Sequence, residues 1–179
     1  MRVLLAACVA GALAAAPAAA QMSVTTFGDS AAKSCYDDAN DGFTTVAANC
    51  DRALKEEALS RKDRQATLVN RGIVHNRAGR YAEALADFDA ALDRDAGLAE
   101  AWLNRGNTML LTGRADEAID TYEAARAHGI GKAHVAWYTI GLAYEAKEDT
   151  AKAREAYQKA LEASPSFTLA QSKLAEIGG

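Results

Sequence analysis

The stretch WYTIGLAYEAKEDTAKAREAYQKAL, from Trp137 to Leu161, is the last of three similar segments in this chain of 179 residues. The other two are LVNRGIVHNRAGRYAEALADFDAAL, which begins at Leu68, and WLNRGNTMLLTGRADEAIDTYEAA, which begins at Trp102. One glycine recurs in each segment, at separations of 34 and 35 residues: Gly72, Gly106 and Gly141. A repeat of this period is typical of a solenoid, in which each unit buries its apolar face against the next.

Several other positions recur at fixed distances from these glycines. A large apolar residue precedes each glycine by four positions, and an alanine, an aromatic residue and a second alanine follow it. The aromatic residues are Phe88, Tyr122 and Tyr157. The glycine and the first alanine allow two helices to approach closely, so each segment predicts a helical hairpin. We expect the aromatic rings to fill the space between successive hairpins.

The pattern W-x2-L-G-x2-Y, followed by alanine, an aromatic residue, alanine and proline, resembles the tetratricopeptide repeat. This resemblance implies an all-α fold, a right-handed solenoid of antiparallel helix pairs, with repeats at 65–98, 99–132 and 134–167. The third segment fills every position of the pattern, ending at Pro165. In the other two, Arg71 and Arg105 stand where leucine is usual, and His75 and Met109 replace the tyrosine. We expect these departures to loosen the packing.

The segments on either side of the repeats fit the same plan. Residues 168–179 predict an amphipathic capping helix. Residues 30–64 predict a degenerate half-repeat, with a short first helix near 30–39, a second helix near 43–59, and Cys50 in the aromatic position. Residues 21–29 predict a loose, flexible arm.

The first twenty residues, MRVLLAACVAGALAAAPAAA, predict a secretory signal peptide. They combine an early positive charge, an apolar middle and a small-residue end. A retained membrane anchor is less favoured, because the apolar run is short and rich in alanine. Lipid anchoring at Cys8 is also less favoured, because the apolar run continues well past this cysteine. We therefore expect export, to the periplasm, with no membrane insertion after signal cleavage.

The cysteines are consistent with export. Loss of the leader leaves Cys35 and Cys50, and two cysteines in an exported chain predict one disulfide. A catalytic thiol or half of a metal site is less favoured, because neither cysteine belongs to a C-x-x-C pair.

Composition and motifs argue against several functional classes. The formal net charge is -4, so there is no basic surplus for binding nucleic acid. The run from Asp37 to Gly42 resembles the start of a calcium loop, but Ala39 and Ala48 occupy positions that need ligands. The three histidines lack a third ligand at a suitable spacing, and no motif for a nucleophile or a phosphate is present. The sequence predicts no metal, no cofactor and no enzymatic activity.

The resemblance implies a binding groove on the concave face, lined by the first helix of each pair. Asparagine amides there could pair with the backbone of an extended peptide, and Tyr138 offers an aromatic anchor. The predicted groove residues are Val69, Asn70, Ile73, Asn76, Arg77, Glu100, Leu103, Asn104, Asn107, Tyr138, Leu142 and Glu145. Family members that grip terminal carboxylates use a lysine and arginine clamp. Of the positions in this chain that correspond to the residues of that binding site, only Asn104 carries the residue that those family members use. Binding of terminal carboxylates is therefore not expected.

These features together predict a non-enzymatic interaction module or adaptor in the cell envelope. Its partner would be a protein or peptide whose segment enters the concave groove. Two alternatives remain. The chain could be a structural protein that self-associates as a homo-oligomer through its ends, or an accessory subunit of an envelope enzyme.

Overall fold

A computed structural model of the chain describes residues 30–178; the predicted signal peptide and arm lie outside the described residues. Within that range the chain forms nine α-helices and no strand. The helices are α1 (Ala31–Asn40), α2 (Ala48–Glu56), α3 (Arg61–Arg77), α4 (Tyr81–Leu92), α5 (Ala99–Leu111), α6 (Ala115–Ala127), α7 (Ala133–Ala146), α8 (Thr150–Ala163) and α9 (Thr168–Glu176). None of them is long and apolar enough to cross a bilayer.

The helices pack as a stack of hairpins, which confirms the predicted all-α solenoid. The pairs α1–α2, α3–α4, α5–α6 and α7–α8 follow one another, and α9 packs on α8 at the end. The first helices of successive pairs also contact one another: α1 contacts α3, α3 contacts α5, and α5 contacts α7. This places them in one inner layer, on the concave side of the stack.

The repeated aromatic residues pack on the glycine of their own hairpin, and Phe88 and Tyr122 also belong to core clusters that include residues of the next hairpin. The ring from the second helix of each pair packs on the glycine of the first helix. A Cβ atom built on the glycine would lie 2.6, 2.5 or 2.3 Å from the nearest ring carbon, for the pairs Gly72–Phe88, Gly106–Tyr122 and Gly141–Tyr157. The missing side chain therefore leaves the slot that the ring fills.

Two helix boundaries differ from the prediction. Helix α3 begins at Arg61, four residues before the predicted start of the first repeat at 65, because the Ser60 side chain caps it by accepting a hydrogen bond from the Asp63 amide. Helix α2 is shorter than the predicted 43–59. The Asp41 carboxylate accepts hydrogen bonds from the amides of Phe43 and Thr44, which turns residues 41–47 into a loop.

The half-repeat is held together by a disulfide and by polar contacts, and Arg77 joins it to α3. Cys35 and Cys50 form a disulfide between α1 and α2, and both are fully buried. The Glu57 carboxylate accepts hydrogen bonds from the first amides of α1, a favourable position for a negative charge. The Arg77 guanidinium donates to the carbonyls of Asp38, Ala39 and Thr44, at 3.0, 2.9 and 2.7 Å.

Removing the disulfide should loosen the half-repeat and leave the three regular hairpins folded. We expect the double variant Cys35→Ser/Cys50→Ser to lose about 3 kcal/mol of stability, because the bridge closes a short loop. Hydrogen exchange should then speed up in residues 31–57 only, since contacts in a solenoid are between neighbours. Equal acceleration in α7 and α8, or two free thiols in the isolated wild-type protein, would contradict this expectation.

The two arginines in leucine positions form ion pairs that the repeat pattern does not predict. The Arg71 guanidinium binds both carboxylate oxygens of Asp87, at 2.9 and 2.6 Å, and one oxygen of Asp51, at 2.8 Å. The Asp87 side chain is only 5% exposed. Arg71 thus links α2, α3 and α4 by ion pairs. Arg105 forms a similar bond, at 2.7 Å, to the more exposed Asp89.

His75 also makes a polar contact that the repeat pattern does not predict. Its Nδ1 atom accepts a hydrogen bond from Arg80 Nε at 2.9 Å. Burial lowers the pKa of His75, which outweighs the opposing effect of Asp87 on that pKa. The imidazole is therefore neutral near pH 7 and can act as the acceptor.

Candidate functional site

A large concavity in the described part of the chain lies on the inner layer, between α1, α3 and the start of α5. We call it the α1–α3–α5 cavity; its volume is about 620 Å³. It is lined by Tyr36, Arg61, Lys62, Gln65, Ala66, Val69, Asn70, Asp95, Leu98 and Glu100. Its walls are mostly apolar and its rim is charged, an arrangement typical of a binding site.

Three structural elements position these side chains. Tyr36 follows the disulfide-bonded Cys35 on α1 and is 54% exposed. Val69 and Asn70 follow Ala66 by three and four residues on α3, so both lie on the same side of that helix as Ala66. The turn before α5 supplies Asp95, whose carboxylate is fixed by accepting a hydrogen bond from the Gly97 amide at 2.9 Å.

Gln65 provides an unused hydrogen-bond donor beside the cavity. The residue is 7% exposed, and its side-chain nitrogen is buried with no hydrogen-bond partner among residues 30–178. A buried donor without an acceptor costs free energy, so a ligand that supplies an acceptor would bind favourably here.

A smaller cavity of about 470 Å³ adjoins the first. The two share Tyr36, Ala66 and Asn70, and the second extends along α1 past Lys33 to Glu57. The concave face therefore has a continuous depression along α1 and α3, long enough for more than one side chain of a ligand.

The structure brings only three of the predicted groove residues into the α1–α3–α5 cavity: Val69, Asn70 and Glu100. Ile73 and Leu103 pack against hydrophobic clusters of the core. The others make internal hydrogen bonds. Asn76 accepts from the Thr108 hydroxyl, Asn107 accepts from the Tyr122 hydroxyl, Asn104 donates to the Glu100 carbonyl, and Arg77 binds the α1–α2 loop.

The predicted groove residues of the last repeat contact α9. The Tyr138 ring lies 5.4 Å from that of Phe167, between centroids, and Leu142 packs in the same cluster. The Glu145 carboxylate is 3.1 Å from Lys173 Nζ. These three side chains thus hold the capping helix, and a substitution there would disturb its packing.

Sequence reasoning missed the other residues of the cavity. Tyr36 belongs to a helix that was predicted only as a stub, and Arg61, Lys62 and Gln65 precede or begin the repeat as it was predicted. The capping signal at Ser60 and Asp63 could have extended α3 to its true start. No sequence signal places α1 beside α3.

Within residues 30–178 no three side chains of histidine, cysteine, aspartate or glutamate come together as a possible metal site. The residues of the cavity itself offer hydrogen bonds, charge and apolar surface.

Stacked helical hairpins with a depression on the inner layer define a helical-repeat solenoid. The sequence profile described as the tetratricopeptide repeat matches residues 63–127 and 97–166. The chain therefore belongs to the tetratricopeptide repeat family. A search of curated proteins gave no significant match.

Solved structures show the same fold at low sequence identity. A tetratricopeptide repeat protein from Parabacteroides merdae is 22% identical, with a TM-score of 0.65, over 82% of this chain and 57% of that one. YrrB, described as having an unusual peptide-binding site, is 23% identical, with a TM-score of 0.61, over 74% and 66%. The first such domain of Spaghetti (RPAP3), bound to the HSP90 peptide SRMEEVD, is 22% identical, with a TM-score of 0.59, over 64% and 90%.

Proposed function

We propose that this chain is a non-enzymatic protein-interaction module that binds a segment of another protein in the α1–α3–α5 cavity. The cavity itself is the observation that carries the proposal. Its apolar walls can take a bulky side chain, and its polar groups can pair with a peptide backbone. The function is passive recognition by a preformed surface.

The chemistry of the cavity supports a peptide segment as ligand. The buried nitrogen of Gln65 can donate to a peptide carbonyl, and the amide of Asn70 offers both a donor and an acceptor. YrrB and the Spaghetti domain, which share the fold, are described with peptide sites or peptides. This chain has Val69 and Ile73 where the family's carboxylate clamp places basic residues, so we propose a ligand other than an acidic terminal peptide.

We further propose that the module works in the cell envelope. The leader-like residues 1–20 support export, and a buried disulfide is stable in an oxidising compartment such as the periplasm. An adaptor that holds two envelope components together would need no chemistry of its own.

The test fills the cavity with a large side chain. Peptides selected from a displayed library on the isolated protein should bind Ala66→Trp at least tenfold more weakly than wild type, because the indole occupies the cavity. Ala151→Trp, on an exposed position of α8, is the matched control and should bind normally. If Ala66→Trp keeps wild-type affinity for the selected peptides while circular dichroism shows normal helicity, the cavity is not the binding site.

A further inference from the structure

The loop between α1 and α2 presents two large apolar side chains to solvent. Phe43 is 85% exposed and Val46 is 65% exposed. The other exposed large hydrophobic residues in the described part of the chain, Tyr36, Leu111 and Leu169, are only 52% to 59% exposed. Two exposed apolar side chains three residues apart in one loop are consistent with an interaction surface.

The loop is ordered by hydrogen bonds before any partner arrives. The Asp41 carboxylate accepts from the amides of Phe43 and Thr44, at 2.7 and 2.9 Å, and from the Thr44 hydroxyl. Arg77 donates to the Thr44 carbonyl and Arg80 to the Thr45 carbonyl, each at 2.7 Å. A loop that is already held in place loses little conformational entropy when its side chains are buried in a partner.

The loop cannot reach the α1–α3–α5 cavity of its own molecule. Arg77 and Arg80 fix it at the C-terminal end of α3, whereas the cavity lies along the N-terminal half of that helix. Ala66 and Arg77 are 11 residues apart on α3, which corresponds to about 16 Å along the axis. A cavity that receives Phe43 must therefore belong to another molecule.

We infer that the Phe43–Val46 loop docks into the α1–α3–α5 cavity of a second copy of this chain. The inference rests on the proposed function, because it takes the same cavity as the binding site and names its occupant. The cavity, at about 620 Å³, is much larger than the side chains that would enter it. Burial of a phenylalanine in such a site contributes substantially to association.

Charge favours one orientation of the docked loop. Asp41 is bound to the loop through the Phe43 and Thr44 amides, and the cavity is lined by Arg61 and Lys62 on α3 and by Asp95 and Glu100 near the start of α5. Hydrogen bonds, chiefly from the Thr44 hydroxyl, lower the pKa of Asp41 to about 2, so that carboxylate is charged throughout the physiological range. In the docked loop the Asp41 carboxylate therefore faces Arg61 and Lys62, away from Asp95 and Glu100.

The positions of the loop and the cavity suit a closed pair. The loop is held at the C-terminal end of α3, and the cavity lies along the N-terminal half of the same helix. Two copies related by a twofold axis can each insert a loop into the other's cavity, so the dimer has two equal contacts and no free site for further growth.

The experiment measures the dimer dissociation constant of the isolated protein by sedimentation equilibrium. We expect a concentration-dependent dimer that Phe43→Ser and Ala66→Trp each weaken at least tenfold. The matched control is Leu169→Ser, which removes a side chain that is 52% exposed on α9, and it should have no effect. A mixture of Phe43→Ser and Ala66→Trp should dimerise more strongly than either variant alone, because one loop and one cavity remain complementary.

A monomer at all concentrations, or a dimer that Phe43→Ser does not weaken, would overturn the inference. Neither result would affect the proposed function, which depends on the loss of selected-peptide binding in Ala66→Trp. If Ala66→Trp retains that binding but Phe43→Ser and Ala66→Trp both weaken the dimer, the proposed function fails and the self-docking stands.

Discussion

Replacing Gly141 by leucine should lower the free energy of unfolding by about 3 kcal/mol, because it overpacks a tight helix contact. Even the Cβ atom would lie 2.3 Å from a ring carbon of Tyr157, which is fully buried. The ring has no empty space into which it can rotate without moving α8 away from α7. Urea denaturation followed by circular dichroism measures the change in stability.

Gly131 supplies the matched control for this substitution. A Cβ atom there would meet no atom within 4 Å, so Gly131→Leu should change the stability little. In a Tyr157→Ala background the penalty of Gly141→Leu should shrink, because the side chain with which leucine collides is gone. An equal penalty in both backgrounds would show that the glycine is required for some reason other than the ring.

Replacing Arg71 by leucine should destabilise the protein by about 3 kcal/mol, although leucine is the usual residue of the family at this position. The substitution leaves the buried Asp87 carboxylate without the guanidinium that binds both its oxygens. An unpaired buried charge costs more than the gain from an added apolar side chain. The change should appear as a lower urea midpoint with an unchanged slope.

Arg105→Leu is the matched control, since Arg105 occupies the same repeat position. Its partner Asp89 is 53% exposed and can be solvated when the arginine is lost, so the cost should be below about 1 kcal/mol. Adding Asp87→Leu to Arg71→Leu should recover much of the lost stability, because no charge then remains buried. Equal effects of the two arginine substitutions would argue against burial as the cause.

The fold could be predicted because the same pattern of packing residues occurs three times in the sequence. Each hairpin needs a glycine facing an aromatic ring, and Gly141 and Tyr157 show this rule without any departure. What the rule does not give is the direction of the ring. Spacing alone does not distinguish packing within a hairpin from packing between hairpins, and the prediction gave only the second.

The candidate site was harder to predict because it lies in the half-repeat and at the start of the first regular repeat, where the repeat pattern is weakest. Tyr36 and Phe43 belong to the half-repeat, which has no second example in the chain with which to align them. Arg77 shows a related difficulty. Its position in the repeat implies a groove residue, but the loop after α1 supplies carbonyl acceptors that bind its guanidinium. Such a contact depends on tertiary structure that a local pattern does not contain.

The order of packing along the stack also affects how the protein folds and frays. The main contacts of each described helix are with helices that are one or two positions away in the chain. Contacts of this kind give a low contact order, so chain closure costs little entropy and folding is fast. The two ends of the stack differ, because a disulfide ties α1 to α2, whereas α9 is a nine-residue helix that packs on α8. Thermal fraying therefore begins at Thr168–Glu176 and proceeds toward the covalently closed end.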